Sequence, residues 1–272
     1  MMATEPRPSL PRLYLLDVEG TVSPISLVTE QLFPYARAHF ESFLRSSIAE
    51  LEKHPESFEQ SLAEGGLLWD LAMLQIENRP QQDPDAPSLA PPGFRRDQNN
   101  VSMSPSAFIP VALKYVFWLM DRDRKSTALK SLQGKIWKTG FESGELKGTL
   151  FADVPRALER WAAHGRVAIY SSGSASAQEL LFRYSIFGDL TGLIAGYFDT
   201  RIGAKIASAS YKAIAAELHV EPREVCFFSD VVRELDPARE AGLETRLVVR
   251  EGNAPVEDPH GHVAIESFDG DL

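Results

Sequence analysis

Three short apolar runs in this chain each stop at a polar group. Leu13–Leu16 ends at Asp17-Val18-Glu19, Arg166–Tyr170 at Ser171-Ser172, and Val225–Phe228 at Ser229-Asp230. Runs of that length bounded by polar residues predict strands buried on both faces, the pattern of a parallel sheet. Parallel neighbours need a crossover of a dozen or more residues, and the intervening segments carry helical periodicity. Val154, Ala157, Leu158 and Trp161 form one stripe, with Gly165 after its end. Ser176 and Glu179 make a capping box before Leu180 and Leu181, and Tyr211, Ile214, Ala215 and Leu218 repeat at i, i+3, i+4, i+7. A short helix around 237–241 and a strand over Thr245–Arg250 follow. Strands alternating with helices predict an α/β domain with a parallel sheet.

A long stretch that reads mainly as helix separates the first strand from the second. Residues 28–51 are helical, interrupted at Pro34, and 78–106 form a proline-rich loop that contributes no core. Two helices follow, one with Phe108, Ala112, Tyr115 and Leu119 on a face, the next with Leu129, Leu132 and Ile136 and an end near Gly140. The expected organisation is an α/β core interrupted by a helical insert: core 10–27, insert 28–148, core 149–254 and a tail 255–272. His260 and His262 fall in that tail, where an i, i+2 pair on a flexible segment makes a poor metal site.

At 272 residues the chain builds one large domain or two modest ones. Its net charge of −10 argues against non-specific binding to nucleic acid or an anionic membrane, and leaves room for a small phosphorylated substrate held by a local positive site. The lone cysteine, Cys226, can form neither an intrachain disulfide nor a cysteine zinc cluster, and its apolar neighbours predict a buried thiol. No apolar run reaches the ~18 residues of a membrane helix, and Leu13–Leu16 is too short for a signal segment. The expectation is a cytoplasmic monomer.

Ligands of open α/β sheets bind outside the carboxyl ends of the strands, so the polar ends converge on one crevice. Asp17 and Glu19, two apart in an extended segment, project from the same face, and Gly20 permits a sharp turn. Asp17 and Asp230 offer hard oxygen donors suited to Mg²⁺, whose shell is completed by waters and a substrate phosphate. A carboxylate can attack phosphorus to give an aspartyl-phosphate, with Mg²⁺ screening the repulsion. A second acid must then protonate the leaving alcohol and activate water, and Glu19 has the reach. Its part is open between metal ligation, by side chain or main-chain carbonyl, and acid–base work. Ser171, Ser172 and the backbone N–H groups from Gly173 onward can donate to phosphate oxygens. Lys205 can add positive charge to the same phosphate. Singly, a strand-end Asp, a capping Ser or a surface Lys is commonplace; the ordered set carries the chemistry.

Asp17-Val18-Glu19-Gly20-Thr21 resembles the first motif of the haloacid dehalogenase superfamily of phosphatases, and Ser171, Lys205 and Asp230 match its second, third and fourth in order. The resemblance is closer to the enolase-phosphatase family of methionine salvage, which has Glu two residues after the nucleophile, as Glu19 is here. Leu32-Phe33-Pro34-Tyr35, Leu132–Trp137, Tyr170–Ser174, Phe198–Thr200 and Val248–Arg250 are also similar, so the resemblance runs from about Leu13 to Asn253. It implies a Rossmann-like core, an inserted helical cap, Mg²⁺, and the substrate 2,3-diketo-5-methylthiopentyl-1-phosphate, enolised and dephosphorylated to an acireductone. It implies catalytic roles for Asp17 and Glu19, a metal site of Asp17, Glu19 and Asp230, and substrate contacts from Ser171, Ser172 and Lys205. Two alternatives stand beside it. Glu19 and the Leu132–Trp137 stretch speak against a related phosphatase acting on another small phosphate ester. Intact Asp17, Lys205 and Asp230 speak against a non-catalytic binding module. Two features depart from the family: the 78–106 stretch is longer than its cap carries, and Leu235-Asp236-Pro237 gives Asp236 no metal role.

Overall fold

The computed structural model describes residues 10–78, 84–89 and 105–270. β1 (Leu13–Leu16) consists of four apolar residues, none more than 2% exposed, as a central parallel strand requires. It pairs parallel with β2 (Arg166–Tyr170) on one side and β4 (Val225–Ser229) on the other. β3 (Gly196–Phe198) lies outside β2, while β5 (Glu244–Val248) and β6 (Val263–Ile265) continue beyond β4. Among the described residues this is one six-stranded parallel sheet of order β3-β2-β1-β4-β5-β6. The chain steps outward from β1 to β3, then returns to the far side of β1 to begin β4. That reversal opens a crevice at the carboxyl ends of β1 and β4.

Alternate residues of the strands face opposite helix layers. Tyr14 and Phe228 meet Trp161 of α6 (Val154–Ala162), the rings 4.9 and 5.2 Å apart. Leu13, Leu15 and Phe227 share a core with Tyr211 and Ile214 of α8 (Ser208–Glu217) and Leu235 of α9 (Val232–Glu240). α7 (Ala175–Arg183) starts after β2; its cap is Ser174, whose hydroxyl accepts from the Ala177 N–H at 3.3 Å, two residues before the expected Ser176. α9 starts at Val232 rather than near 237.

The segment expected as a tail is built into the sheet. Val263–Ile265 pair with β5, and Phe268, 1% exposed, sits 5.1 Å from Trp161 and 5.6 Å from Phe228. His260 and His262 both face the Asp236 carboxylate, at 2.7 and 3.1 Å, and His262 Nδ1 is 2.7 Å from Thr245 Oγ1.

The chain divides into two compact units, one holding the sheet and one running from Leu32 to Gly140, where the sequence reading set the insert at 28–148. The second unit is helical: α1 (Phe33–Lys53), α2 (Phe58–Leu62), α3 (Leu67–Glu77), α4 (Pro105–Asp121) and most of α5 (Thr127–Ser143). The regular helix is interrupted just before Pro34, as the sequence predicts: Leu27–Leu32 forms a π-helical segment that leads directly into α1, with Pro34 in the first turn of α1. Phe40, Leu44, Leu74, Val116, Leu132 and Ile136 form the core. Part of the proline-rich stretch contributes to it: Leu89, 5% exposed, packs there, and Asn78 Nδ2 donates to the Pro87 carbonyl at 3.1 Å. The remainder of 78–106 lies outside the described residues, apart from Asn78 itself and the start of α4. No helix among the described residues is long and apolar enough to cross a membrane.

Candidate active site

Asp17 is the first residue past β1, and its N–H donates to the Phe228 carbonyl at 2.9 Å, extending the ladder with β4 by one rung. The side chain is thereby set in the crevice, 4% exposed. Its Oδ1 accepts from the Val18 N–H at 2.8 Å and meets the Lys205 ammonium at 2.6 Å. The chain then turns back: the N–H groups of Thr21, Val22 and Ser23 all converge on the Val18 carbonyl. Gly20 sits at φ +72°, and a Cβ there would lie 2.3 Å from Asp230 Oδ2, so glycine lets the turn pass beneath the Asp230 carboxylate. Glu19 is half-buried in this turn, its backbone bridged to Ser23. Asn253 Nδ2 holds the Gly20 carbonyl at 2.9 Å, and Arg250 Nε holds that of Thr21 at 3.3 Å.

Lys205 spans the site, its ammonium also 2.5 Å from Glu234 Oε2. Burial alone would push the pKa of this 9% exposed lysine down, but Asp17 and then Glu234 outweigh burial and hold it above the ordinary lysine range. It is therefore a charged cation. Glu234 is raised, by burial first and then by Asp17, because two carboxylates share one ammonium. Ser229 Oγ is 3.1 Å from Glu234 Oε2 and 3.4 Å from Asp17 Oδ2. Asp230 is pushed up to about 7, by burial first and then by the charge of Asp17. Asp17 and Glu234 thus share one ammonium beside the buried Asp230, and the surplus negative charge favours a cation.

On the next strand, Ser171 is buried and its N–H donates to the Phe198 carbonyl at 3.2 Å, while Ser172 is exposed. Part of the expected amide cradle is already committed. The Gly173 N–H donates to Ser171 Oγ at 3.2 Å, and the Ala175 N–H to Asp199 Oδ2 at 3.1 Å. Asp199 thus occupies part of the α7 N-terminus that was expected to serve phosphate. Gln178 Nε2 fastens this loop from beneath, donating to the carbonyls of Gly173 at 2.7 Å and Phe198 at 2.9 Å.

Asp17, Ser171, Ser172 and Asp230 therefore follow the ends of adjacent strands, Glu19 lies in the turn after Asp17, and Lys205, from the segment between β3 and α8, is in direct contact with Asp17. Glu234 and Ser229 were missed; the available signal was a Glu one helical turn after Asp230. Asp236 faces the two histidines, which, His260 first, hold its carboxyl below the usual range. Trp137 is committed within its own unit, donating to the Leu32 carbonyl at 2.7 Å.

No three His, Cys, Asp or Glu among the described residues gather into a metal cage. Mg²⁺ does not need one: it binds through one or two carboxylates and keeps several waters. Asp17 and Asp230 fit that demand, the charge of Asp17 being one cause of the raised Asp230.

Residues 11–242 match the family of haloacid dehalogenase-like hydrolases, the class that this sheet order and these strand-end groups define. An "Enolase-phosphatase E1" of Synechococcus elongatus is 45% identical over 89% of this chain and 90% of its own length. Those of Leptospira borgpetersenii and Branchiostoma floridae are 41% and 40% identical, covering 94% and 93% of this chain and 96% and 81% of their own. The crystal structure of the UTR4 protein of Saccharomyces cerevisiae aligns with a TM-score of 0.66 at 31% identity, covering 95% of this chain and 99% of that one. The chain belongs to the enolase-phosphatase E1 family of haloacid dehalogenase-like hydrolases.

Proposed function

We propose that this enolase-phosphatase of methionine salvage converts 2,3-diketo-5-methylthiopentyl-1-phosphate to 1,2-dihydroxy-3-keto-5-methylthiopentene and phosphate. The observation that carries the reading is the Lys205 ammonium set between Asp17 and Glu234 at the crevice of β1 and β4, beside Asp230. In the phosphatase step Asp17 attacks phosphorus, the ester P–O bond breaks, and Glu19 gives the leaving oxygen its proton. Glu19 then takes a proton from water, which hydrolyses the aspartyl-phosphate and restores Asp17. Lys205 neutralises charge on the phosphoryl oxygens, worth roughly 3 kcal/mol in such sites, and Ser171 and Ser172 donate to those oxygens. Asp17 and Asp230 through their carboxylates, and Glu19 through its main-chain carbonyl so that its carboxyl stays free to carry the proton, would hold Mg²⁺, which when bound screens the repulsion between the Asp17 carboxylate and the phosphate. Glu234 touches no reacting atom in this scheme; it positions Lys205. We take the enzyme to act as a cytoplasmic monomer.

Phosphate release from the diketone phosphate and from an aryl phosphate, with and without Mg²⁺, tests the proposal. Expected are Mg²⁺-dependent release, a preference for the diketone of at least about a hundredfold, of the size that site contacts confer, and no release by Asp17→Ala. Equal turnover of both esters would turn the reading to a general phosphatase.

A further inference from the structure

The segment that carries Lys205, between β3 and α8, has no regular structure. Such loops are commonly the mobile part of a fold, and a lysine has a long flexible stem to fix before its ammonium can serve one phosphate oxygen. Here three successive carbonyls of the loop are held from inside by hydroxyls. Tyr170, the last residue of β2, donates to the Gly203 carbonyl at 2.9 Å. Ser210, in the first turn of α8, donates to that of Ala204 at 2.8 Å, and Tyr211 to that of Lys205 at 2.7 Å. The Tyr211 hydroxyl also lies 2.9 Å from the Glu234 carbonyl. It thus shares one proton between the backbones of the two residues whose side chains pair.

All three side chains are buried. Gly203 stands at φ +141°, and a Cβ there would lie 2.2 Å from Ser210 Oγ, so only glycine admits the serine this close. Burial raises both phenols above the ordinary tyrosine range, which keeps them protonated donors. A buried hydroxyl needs an acceptor, and for stability any carbonyl would serve. Three hydroxyls on three consecutive carbonyls ending at the lysine, the last also reaching the lysine's partner, form a much narrower arrangement.

We propose that Tyr170, Ser210 and Tyr211 are positioning residues that fix the Lys205 ammonium over Asp17 through the loop backbone, with Tyr211 tying that loop to Glu234. The inference deepens the phosphatase reading and rests on it. Tyr211→Phe removes one O–H and keeps the ring that packs 5.5 Å from Tyr170 and 5.1 Å from Phe227. Expected is a loss of about tenfold or more in kcat/KM for the diketone phosphate, with weaker inhibition by inorganic phosphate, because a displaced lysine serves both. In a Lys205→Met background the same substitution should cost less than about twofold, since the group it acts through is gone. Ser210→Ala and Tyr170→Phe should follow the same pattern with smaller losses, and they carry the test if Tyr211→Phe does not fold. Equal losses in both backgrounds overturn the proposal, the hydroxyls then supporting the fold and not the lysine. So does a folded Tyr211→Phe with wild-type kcat/KM and phosphate inhibition. Lys205→Met with unchanged activity removes the phosphatase role of Lys205 itself, and the inference with it, before any hydroxyl is touched.

Discussion

At the scale of single residues, Asp230 is the group whose state depends most on what binds beside it. Its folded pKa of about 7 stands above the ordinary 3.8, raised by burial and then by Asp17. An acid shifted this way binds more protons folded than unfolded, so stability falls as pH rises between those values and levels above about 7. In metal-free protein, Asp230→Asn removes that penalty. The variant should therefore gain on wild type progressively from about pH 4 to about pH 7, by a few degrees of Tm, and saturating Mg²⁺ should close the gap. Thermal melts of both proteins across that range read the effect; a gap independent of pH counts against it. Glu234→Gln keeps the shape but leaves Lys205 facing one carboxylate. It should lower kcat by roughly tenfold to a hundredfold, as loss of a charged partner does, and steady-state kinetics with unchanged kcat would deny Glu234 a positioning role. Asp17, Ser171 and Asp230 were legible because each ends an apolar run, and Lys205 because it precedes a helical stripe. Glu234 was not, since a Glu in a first helical turn reads as surface charge until the fold buries that turn against Ser229 and Lys205.

At the scale of elements, the strand least visible in sequence helps to hold the turn that follows Asp17. β6 is a three-residue edge strand with Val263 and Ala264 exposed, so no buried run announces it. Yet the segment behind it delivers Phe268 to the core and completes the setting of Arg250, whose guanidinium lies 4.5 Å from the Phe151 ring and 4.6 Å from that of Phe268. Arg250 Nη1 meets Asp153 Oδ2 at 2.8 Å, an oxygen that also accepts from the Phe268 N–H at 2.7 Å. Phe268→Ala should cost about 3–5 kcal/mol, the usual loss for a buried phenylalanine. Denaturant unfolding measures it, and a loss under about 1 kcal/mol would mean that this segment lies outside the cooperative core. β1, β2 and β4 were readable because burial on both faces leaves a run of four apolar residues in each, with Arg166 and Ser229 only at the ends. β3 was not, being three residues long and starting at Gly196. Proline content likewise misled at 84–89: composition reports what most of a stretch does, whereas Leu89 packs as one residue.

At the scale of the whole molecule, two reactions are asked of one chain, and the sheet-bearing unit holds every group proposed here for one of them. In the proposed scheme phosphoryl transfer needs the anionic oxygen of Asp17. Enolisation needs positive charge at the diketone oxygens and a base at the carbon bearing the phosphate ester, and neither demand falls on a nucleophile. Asp17→Asn keeps the side-chain shape and one oxygen while removing the anion, so it separates the two demands. The variant should still turn the diketone phosphate into its enol in excess Mg²⁺ while releasing less than about a thousandth of the wild-type phosphate, since losing a nucleophile costs at least that much. The enol is conjugated, so near-ultraviolet absorbance should rise and persist, whereas wild type passes through that species and releases phosphate with it. Parallel records of absorbance and free phosphate distinguish the outcomes. If neither signal appears although substrate binds, Asp17 serves both steps and the division fails. If phosphate appears at the wild-type rate, Asp17 is not the nucleophile, and its contact with Lys205 is a structural ion pair instead.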